Sequence, residues 1–386
     1  MQKFDCPIPL SLYIHLPWCV RKCPYCDFNS HQAPDSLPEE LYVRALVKDL
    51  EEHLPQIWGR RLTSIFFGGG TPSLFSAASV DKILREVNTR LPLGPDVEIT
   101  LEANPGTIDE SRFKGFRDAG INRLSLGLQS LQDEKLKALG RIHNREYALR
   151  AIEIAQRVGF DNINLDLMHG LPNQSVEDAL EDLRDALVWK TNHLSWYQLT
   201  IEPNTLFHSQ PPTLPTEDVL ADIQEQGKSL LAQHGMYQYE VSAYSKPERE
   251  CAHNLNYWEF GDYLGIGAGA HSKLTDMDKQ IITRHSQIKN PRDYLSDQKF
   301  IAEQRIISPA DTMFEFMLNA LRLNQGVPSH YFAERTGLSL SIVQSVISDA
   351  IHKKLLENNP NVLCATELGQ RFLNDLVGMF LDKPNR

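Results

Sequence analysis

The sequence predicts an α/β fold in which six strand–helix units precede a small, mostly helical C-terminal domain. Two observations support this fold class. Short β-rich apolar runs alternate with amphipathic segments, and the alternation stops at a proline-rich stretch near residue 210. Parallel strands joined by helices form right-handed βαβ units, which give either a doubly wound sheet or a partial (β/α)6 barrel. The predicted strands are 11–16, 63–69, 97–104, 123–130, 162–170 and 193–200, with helices over 38–54, 79–91 and 175–189.

The rest of the chain divides into two parts. A further strand is predicted over 237–246, and a glycine-rich stretch over 261–272 predicts a close backbone approach to a ligand or a neighbouring strand. After it come three predicted helices, a short hairpin and a final helix, the order of a winged helix. We therefore expect a barrel over 1–245, a connecting segment over 246–305 and a winged-helix-like domain over 306–386.

Composition excludes several classes of protein. The chain has 386 residues, 41% of them apolar, and a formal net charge of −11, which argues against a nucleic-acid binder because such proteins carry a basic field. The amino terminus lacks the pattern of a secretory signal, and no apolar run approaches the length of a membrane span. We expect a cytoplasmic, reducing location, where cysteine clusters are more often metal sites than disulfides.

Unusual residues follow successive predicted strands. A cysteine-rich loop follows the first strand, "GGGTP" follows the second, Glu102 closes the third and Gln129 the fourth, while Asp166 lies late in the fifth and Gln198 late in the sixth. In either α/β architecture, the carboxyl ends of parallel strands meet on the face where ligands bind. Each residue alone is compatible with a turn or a cap, but together they predict one site.

Three cysteines within the loop "PWCVRKCPYCDF" indicate a metal cluster. Cys19, Cys23 and Cys26 follow the spacing Cys-x3-Cys-x2-Cys. A disulfide would leave one thiol over, and structural zinc usually takes four ligands in two separated pairs. Three thiolates on one short loop suit a [4Fe–4S] cluster that keeps one iron site open. Such an iron could chelate an amino and a carboxylate group and pass an electron to an adjacent sulfonium.

This cysteine spacing, followed by "GGGTP", resembles the radical S-adenosylmethionine (SAM) superfamily. Further segments, "LYIHLPWCVRKCPYCDFNSH", "EANPGT", "GLQS" and "LGRIHN", are similar to the oxygen-independent coproporphyrinogen III oxidase-like branch over essentially the whole chain. The resemblance implies a [4Fe–4S] cluster on the three cysteines, with SAM beside it. Asp166 would hold ribose hydroxyls and Arg141 the methionine carboxylate. The implied cofactor-binding residues are Tyr13, Tyr25, Gly69, Gly70, Thr71, Glu102, Gln129, Arg141 and Asp166.

Three features separate the two subgroups of this branch. The oxidases carry a further cysteine two residues after the triad, where this chain has Phe28, and a longer segment before the first strand. "HNLNYW", residues 253–258, instead resembles a signature of the heme-chaperone subgroup. That resemblance implies His253 as a ligand of heme iron, with Tyr257 and Trp258 covering a porphyrin face. The alternative is that these residues form a packed structural corner.

The heme-chaperone resemblance implies that heme is the cargo and that a membrane hemoprotein, such as a respiratory enzyme, receives it. It also implies a homodimer joined through the cluster state and transient contact with the membrane through the acceptor. Coproporphyrinogen oxidase activity is not expected, whereas SAM cleavage stays open. The alternatives are radical oxidative decarboxylation of coproporphyrinogen III, or radical chemistry on another substrate with a purely structural "HNLNYW".

Overall fold

A long mixed sheet organises the chain. The computed structural model describes residues 2–296 and 299–381, and its strands and helices alternate through the first half. Its strands are β1 (Leu10–Leu16), β2 (Trp18–Cys19), β3 (His31–Gln32), β4 (Leu62–Gly69), β5 (Glu98–Ala103), β6 (Arg123–Gln129), β7 (Asn162–His169), β8 (His193–Gln198), β9 (Tyr237–Glu240), β10 (Ala243–Ser245), β11 (Asp262–Ile266), β12 (His271–Asp276), β13 (Ile281–Gln287), β14 (Ile301–Ile306), β15 (Val327–Pro328) and β16 (Val362–Leu363).

Helices connect these strands and build the C-terminal domain. The α-helices are α1 (Glu39–Ile57), α2 (Ala77–Arg90), α3 (Glu110–Ala119), α4 (Asp133–Ala138), α5 (Arg145–Arg157), α6 (Val176–Leu187), α7 (Leu206–Ser209), α8 (Glu217–Gln233), α9 (Ala252–Trp258), α10 (Pro291–Tyr294), α11 (Pro309–Ala320), α12 (His330–Thr336), α13 (Gln344–His352), α14 (Glu367–Arg371) and α15 (Leu373–Gly378). Within the described ranges, every helix is too short or too polar to cross a membrane.

The sheet confirms the predicted fold class. Neighbouring strands follow the order β14-β13-β12-β11-β1-β4-β5-β6-β7-β8-β10-β9 in the described chain. The run from β11 to β8 is parallel throughout, and antiparallel strands extend it at both edges. The six strands predicted for the partial barrel correspond to β1 and to β4 through β8, each within two residues of the predicted bounds.

Strands β11 to β14 were not predicted. Residues 246–305, expected to be a connecting segment, contain α9 and β11 to β14, which belong to the same sheet as the barrel. The predicted strand 237–246 is a hairpin of β9 and β10. β11 was read as glycine-rich rather than as a strand. Gly265 must lack a side chain there, because a Cβ would lie 2.2 Å from the carbonyl oxygen of His271. The proposed domain boundaries stay predictions.

Helix α6 illustrates how local sequence fixes an element. Ser175 and Asp178 form a capping box: the Ser175 hydroxyl accepts from the Asp178 backbone N–H at 3.1 Å, and the Asp178 carboxylate accepts from the Ser175 N–H at 2.9 Å. The buried stripe repeats every three or four residues, as one face of a helix requires. That stripe consists of Ala179, Leu180, Leu183 and Ala186.

The C-terminal domain has its own apolar core and docks on the barrel. The three helices α11, α12 and α13 and the final helices come in the predicted order, but β15 precedes α12 and pairs with β16 across α12 and α13, so this ladder differs from the predicted hairpin. Phe260 and Phe316 meet edge to face, with ring centroids 5.7 Å apart. Arg322 donates to Glu240 at 3.2 Å and lies 4.3 Å from the centroid of the Trp258 ring. These contacts join the domain to both β9 and α9.

We predict that Gly227→Ala destabilises the protein, although replacing glycine by alanine inside a helix normally stabilises the helix by about 1 kcal/mol. A Cβ at this position in α8 would lie 1.9 Å from the Trp196 ring, so the overpacking should cost about 1–3 kcal/mol. Urea unfolding measures the difference. Gly378→Ala, in α15 with nothing within 4 Å of the new Cβ, is the matched control and should be neutral or stabilising. Equal stability of both variants would contradict the clash.

Candidate functional site

The carboxyl ends of the parallel strands surround a cavity of about 380 Å³. The cysteine loop, the turn after β4 and strands β5 to β8 all contribute to its wall. The structure thus brings together residues that the sequence placed at the ends of five different strands. The predicted site residues that line it are Cys19, Cys23, Tyr25, Cys26, Gly69, Gly70, Thr71, Glu102, Gln129, Arg141 and Asp166.

The three thiols face this cavity among polar groups. The Thr71 hydroxyl donates to the sulfur of Cys19 at 3.5 Å, and an Arg141 N–H donates to that of Cys23 at 3.6 Å. Burial raises the pKa of the thiols of Cys19 and Cys26, so a bound metal would have to replace their protons. In the described chain, no three His, Cys, Asp or Glu side chains lie close enough together to hold one metal ion. Three half-buried thiols around a roomy cavity fit a cluster better than a mononuclear site.

The glycine turn holds the cysteine loop in place. The N–H groups of Gly70 and Thr71 donate to the carbonyls of Leu16 at 2.9 Å and Trp18 at 2.8 Å. A Cβ on Gly70 would lie 2.6 Å from the Trp18 carbonyl oxygen, and one on Gly69 would lie 2.7 Å from the His15 ring. The close backbone approach that these glycines allow is therefore made to the loop itself. Ligand contact by the same turn stays a prediction.

Two half-buried carboxylates, those of Glu102 and Asp166, line the cavity. Burial, together with the nearby charge of Asp166, raises the pKa of Glu102 to about 8, although the Gly69 N–H and Arg123 oppose the shift. Burial also raises the pKa of Asp166, against hydrogen bonds that include one from the Asn164 amide at 2.7 Å. Paired acids of raised pKa are suited to a cationic ligand, whose charge would favour their ionised forms.

Strand alternation adds a residue that the sequence did not identify. The Tyr197 hydroxyl lines the cavity and donates to the Gln129 side-chain oxygen at 2.7 Å. Gln198, the polar residue noted at the end of this strand, instead accepts from Gln224 at 3.3 Å on the outer face. Because successive strand residues face opposite sides, the period of two on β8 was the signal that could have identified Tyr197.

Arg123 was missed for the same reason. Its guanidinium lines the cavity with 2% of the residue exposed, and its Nε has no hydrogen-bond partner among the described residues. The nearest carboxylate oxygen, on Glu98, is 3.9 Å away. Arg123 shares its face of β6 with Gln129, so the alternation would again have indicated it. The floor of the cavity is therefore polar as well as its rim.

The "HNLNYW" segment forms α9 at the opposite end of the barrel from the cysteines. His253 is 4% exposed, and its Nδ1 is 2.9 Å from the Ser64 hydroxyl. Its backbone N–H donates to Glu98 at 3.2 Å. Ser64 and Glu98 lie near the starts of their strands, and Asn254 reaches the cavity, so α9 closes the floor. Burial, helped by the charge of Arg123, lowers the pKa of His253 to about 3 and keeps the imidazole neutral.

Aromatic rings connect α9 to the barrel wall. Tyr257 stacks on Tyr263 with ring centroids 4.2 Å apart, and Phe66 lies 5.0 Å from the His253 ring. Tyr13 stacks on Phe66 at 6.3 Å. Its hydroxyl is 3.1 Å from Nδ1 of His15, so this predicted SAM residue lies beside the cavity wall rather than in its lining.

We predict that Gly70→Ala lowers the iron and sulfide content of the anaerobically reconstituted protein. The added Cβ would push the turn after β4 away from the backbone of the cysteine loop and misplace Cys19. Gly94→Ala is the control, because its Cβ would make only an ordinary contact of 3.9 Å with Val97. Full cluster content in Gly70→Ala would show that the loop does not depend on this pairing.

Two family models match the chain. The model described as the Radical SAM superfamily covers residues 13–186, and that of the HemN C-terminal domain covers residues 307–372. Among solved structures, coproporphyrinogen III oxidase (HemN) from Escherichia coli superposes with a TM-score of 0.81 over 97% of this chain and 90% of that one. At 21% identity, this likeness shows the fold.

Curated relatives narrow the family. The chain is 51% identical over 377 residues to "Heme chaperone HemW" of Haemophilus influenzae, covering 97% of this chain and 98% of the relative. It is 50% identical to "Heme chaperone HemW" of Escherichia coli and 33% identical to that of Bacillus subtilis, again over nearly full length. The resemblance inferred from the motifs is confirmed, and the chain belongs to the HemW family of heme chaperones within the radical SAM superfamily.

Proposed function

We propose that this protein is a heme chaperone that binds a [4Fe–4S] cluster, SAM and heme and delivers the heme to membrane hemoproteins such as respiratory enzymes. The observation that carries the proposal is the shared cavity, in which three thiols lie beside paired carboxylates and a buried arginine. The thiols in this cavity would suit the cluster and the carboxylates would suit SAM, which supports binding of these two cofactors. The names of the relatives support heme as the cargo.

Cys19, Cys23 and Cys26 would hold the cluster, with Arg141 beside Cys23. When bound, the cluster supplies an open iron site and single electrons. The cavity volume of about 380 Å³ falls within the range of small-molecule sites. Asp166 would accept hydrogen bonds from ribose hydroxyls, and Arg141 would pair with the methionine carboxylate. Glu102 would face the positive charge of SAM.

His253 is our proposed ligand of heme iron. The neutral imidazole that burial maintains is the form that coordinates iron. The same burial keeps a porphyrin away, because the ring is packed between Phe66 and Tyr257. Ligation by His253 therefore requires α9 to move off the barrel floor. At seven residues and with no side-chain N-cap, α9 is held mainly by its tertiary contacts.

The remaining parts of the proposal concern partners and chemistry. We propose a homodimer joined through the cluster state and transient contact with the membrane through the acceptor protein.

Phe28 lines the mouth of the cavity and is 64% exposed, at the position where the oxidase pattern has a cysteine. Because that cysteine is absent, we propose that the protein does not decarboxylate coproporphyrinogen III. The test is anaerobic incubation of the cluster-reconstituted protein with coproporphyrinogen III, reductant and SAM. Formation of protoporphyrinogen would contradict this part of the proposal.

We predict that Glu102 strengthens SAM binding more at high pH than at low pH. Its pKa of about 8 leaves the carboxyl mostly protonated near neutral pH, and only the ionised form attracts the cationic ligand. The ratio of SAM dissociation constants, Glu102→Gln over wild type, should rise about tenfold between about pH 7 and about pH 9. Asp166 and Arg123, the charged groups that act on Glu102, are the same in wild type and variant. Titration of SAM itself affects both dissociation constants equally and therefore cancels in their ratio. A ratio independent of pH would contradict the assignment.

We predict saturable binding of about one heme per chain in an anaerobic titration of the cluster-reconstituted protein. His253→Ala should weaken the binding or change the absorbance of the bound heme, because an axial ligand is lost. His352→Ala, at an exposed position in α13, is the matched control and should behave as wild type. Binding unaffected by His253→Ala would move the ligand elsewhere, and the absence of specific binding would contradict the chaperone proposal.

A further inference from the structure

A second cavity, of about 140 Å³, lies between the barrel and the C-terminal domain. On the barrel side it is lined by the outer faces of β7 and β8, the β9–β10 hairpin and helix α8. On the other side it is lined by residues that follow α11 and by α14 and α15. His169, Trp196, Lys228 and Arg322 are the side chains in its wall that bear on ligand chemistry. The cavity is separate from the cysteine site, because the two lie on opposite faces of the sheet.

Three polar atoms in the wall of this cavity are buried without a partner among the described residues. They are Nε1 of Trp196, Nδ1 of His169 and Nε of Arg322. Trp196 is 2% exposed and His169 3% exposed, so bulk water cannot satisfy their ring nitrogens. Arg322 is partly exposed, but its Nε is buried. Indole Nε1 and guanidinium Nε can only donate hydrogen bonds. Unsatisfied buried donors are uncommon in folded proteins, and here they indicate an acceptor in the cavity.

The charge of the cavity wall also favours an anionic ligand. Lys228, an exposed residue at the edge of the cavity, and the partly exposed Arg322 contribute positive charge, and none of the lining residues is acidic. Glu240 pairs with the terminal nitrogen of Arg322 at 3.2 Å, while the Nε of Arg322 has no partner among the described residues. Burial lowers the pKa of Lys228, and the charge of Arg371 lowers it further, although Glu367 opposes them. An acidic chain thus has a locally positive pocket whose cations are only partly compensated.

We propose that this interface cavity binds a small oxyanion, a carboxylate or phosphate group, held by Trp196, Lys228 and Arg322. Its volume accommodates such a group but not a porphyrin. His169 has a pKa lowered to about 4 by burial, so its neutral ring adds no charge and can donate from Nδ1. The oxyanion would bridge α8 to the segment after α11. It would also touch Arg322, which packs on Trp258 of α9.

Thermal unfolding of the full-length, cluster-reconstituted protein tests this proposal, independently of heme. Sodium phosphate, sodium acetate and sodium chloride are compared at equal ionic strength, with inorganic phosphate and acetate as the two oxyanion probes. We expect phosphate or acetate, but not chloride, to raise Tm saturably, by on the order of 2 °C. A larger effect of phosphate would identify the phosphate class, and a larger effect of acetate the carboxylate class.

Two variants locate the effect. Lys228→Gln removes a positive charge, and Gln370→Glu adds a negative charge to the wall. Each should weaken binding, so that the concentration of the active anion needed for half of the Tm shift rises at least tenfold. Lys82→Gln, at an exposed position in α2, is the control for the loss of one charge and should retain the shift. Identical Tm values in all three salts would show that water alone fills the cavity. A shift that persists in both Lys228→Gln and Gln370→Glu would place the anion elsewhere. Either result overturns the proposal.

Discussion

The pairing between the turn after β4 and the cysteine loop is the constraint on which the site depends. Two backbone hydrogen bonds, from Gly70 to Leu16 and from Thr71 to Trp18, join the ends of adjacent parallel strands. Gly70 permits this approach because any side chain would meet the Trp18 carbonyl. The cysteine loop has little other regular structure, since β2 and β3 comprise two residues each. The glycine turn therefore converts three cysteines that are close in sequence into thiols that face one cavity.

The barrel then gives that cavity two ends of different character. Its upper end carries the thiols and Arg141, whereas its floor is closed by α9 and carries buried polar groups such as Arg123. Glu102 and Asp166 lie between them, and their raised pKa values follow from their removal from water. A cationic ligand near the cysteines would favour the ionised form of both acids. The heme-chaperone signature lies below this floor, so the two proposed ligands occupy different ends of one barrel.

Much of the fold could be predicted from the sequence, and the reasons for the failures are physical. Parallel barrel strands are buried on both faces and read as continuous apolar runs, which is why β1 and β4 to β8 were found. β11 was missed because Gly265, needed for close contact with β12, and the glycines that flank the strand resemble a loop. Tyr197 was missed because the last polar residue of β8 was chosen without following the alternation of faces. The position of His253 depends on the packing of α9 against strands more than 150 residues away in sequence, which no local pattern encodes.

Transfer of heme between proteins tests the central claim most directly. The heme-loaded, cluster-reconstituted protein would be mixed anaerobically with the apo form of a membrane-bound respiratory hemoprotein, in the presence of excess apomyoglobin to capture free heme. A heme chaperone predicts that the acceptor gains its heme absorbance and activity despite the scavenger, because the cargo passes directly between the two proteins. Capture of all the heme by apomyoglobin, with an acceptor that stays empty, would contradict the claim.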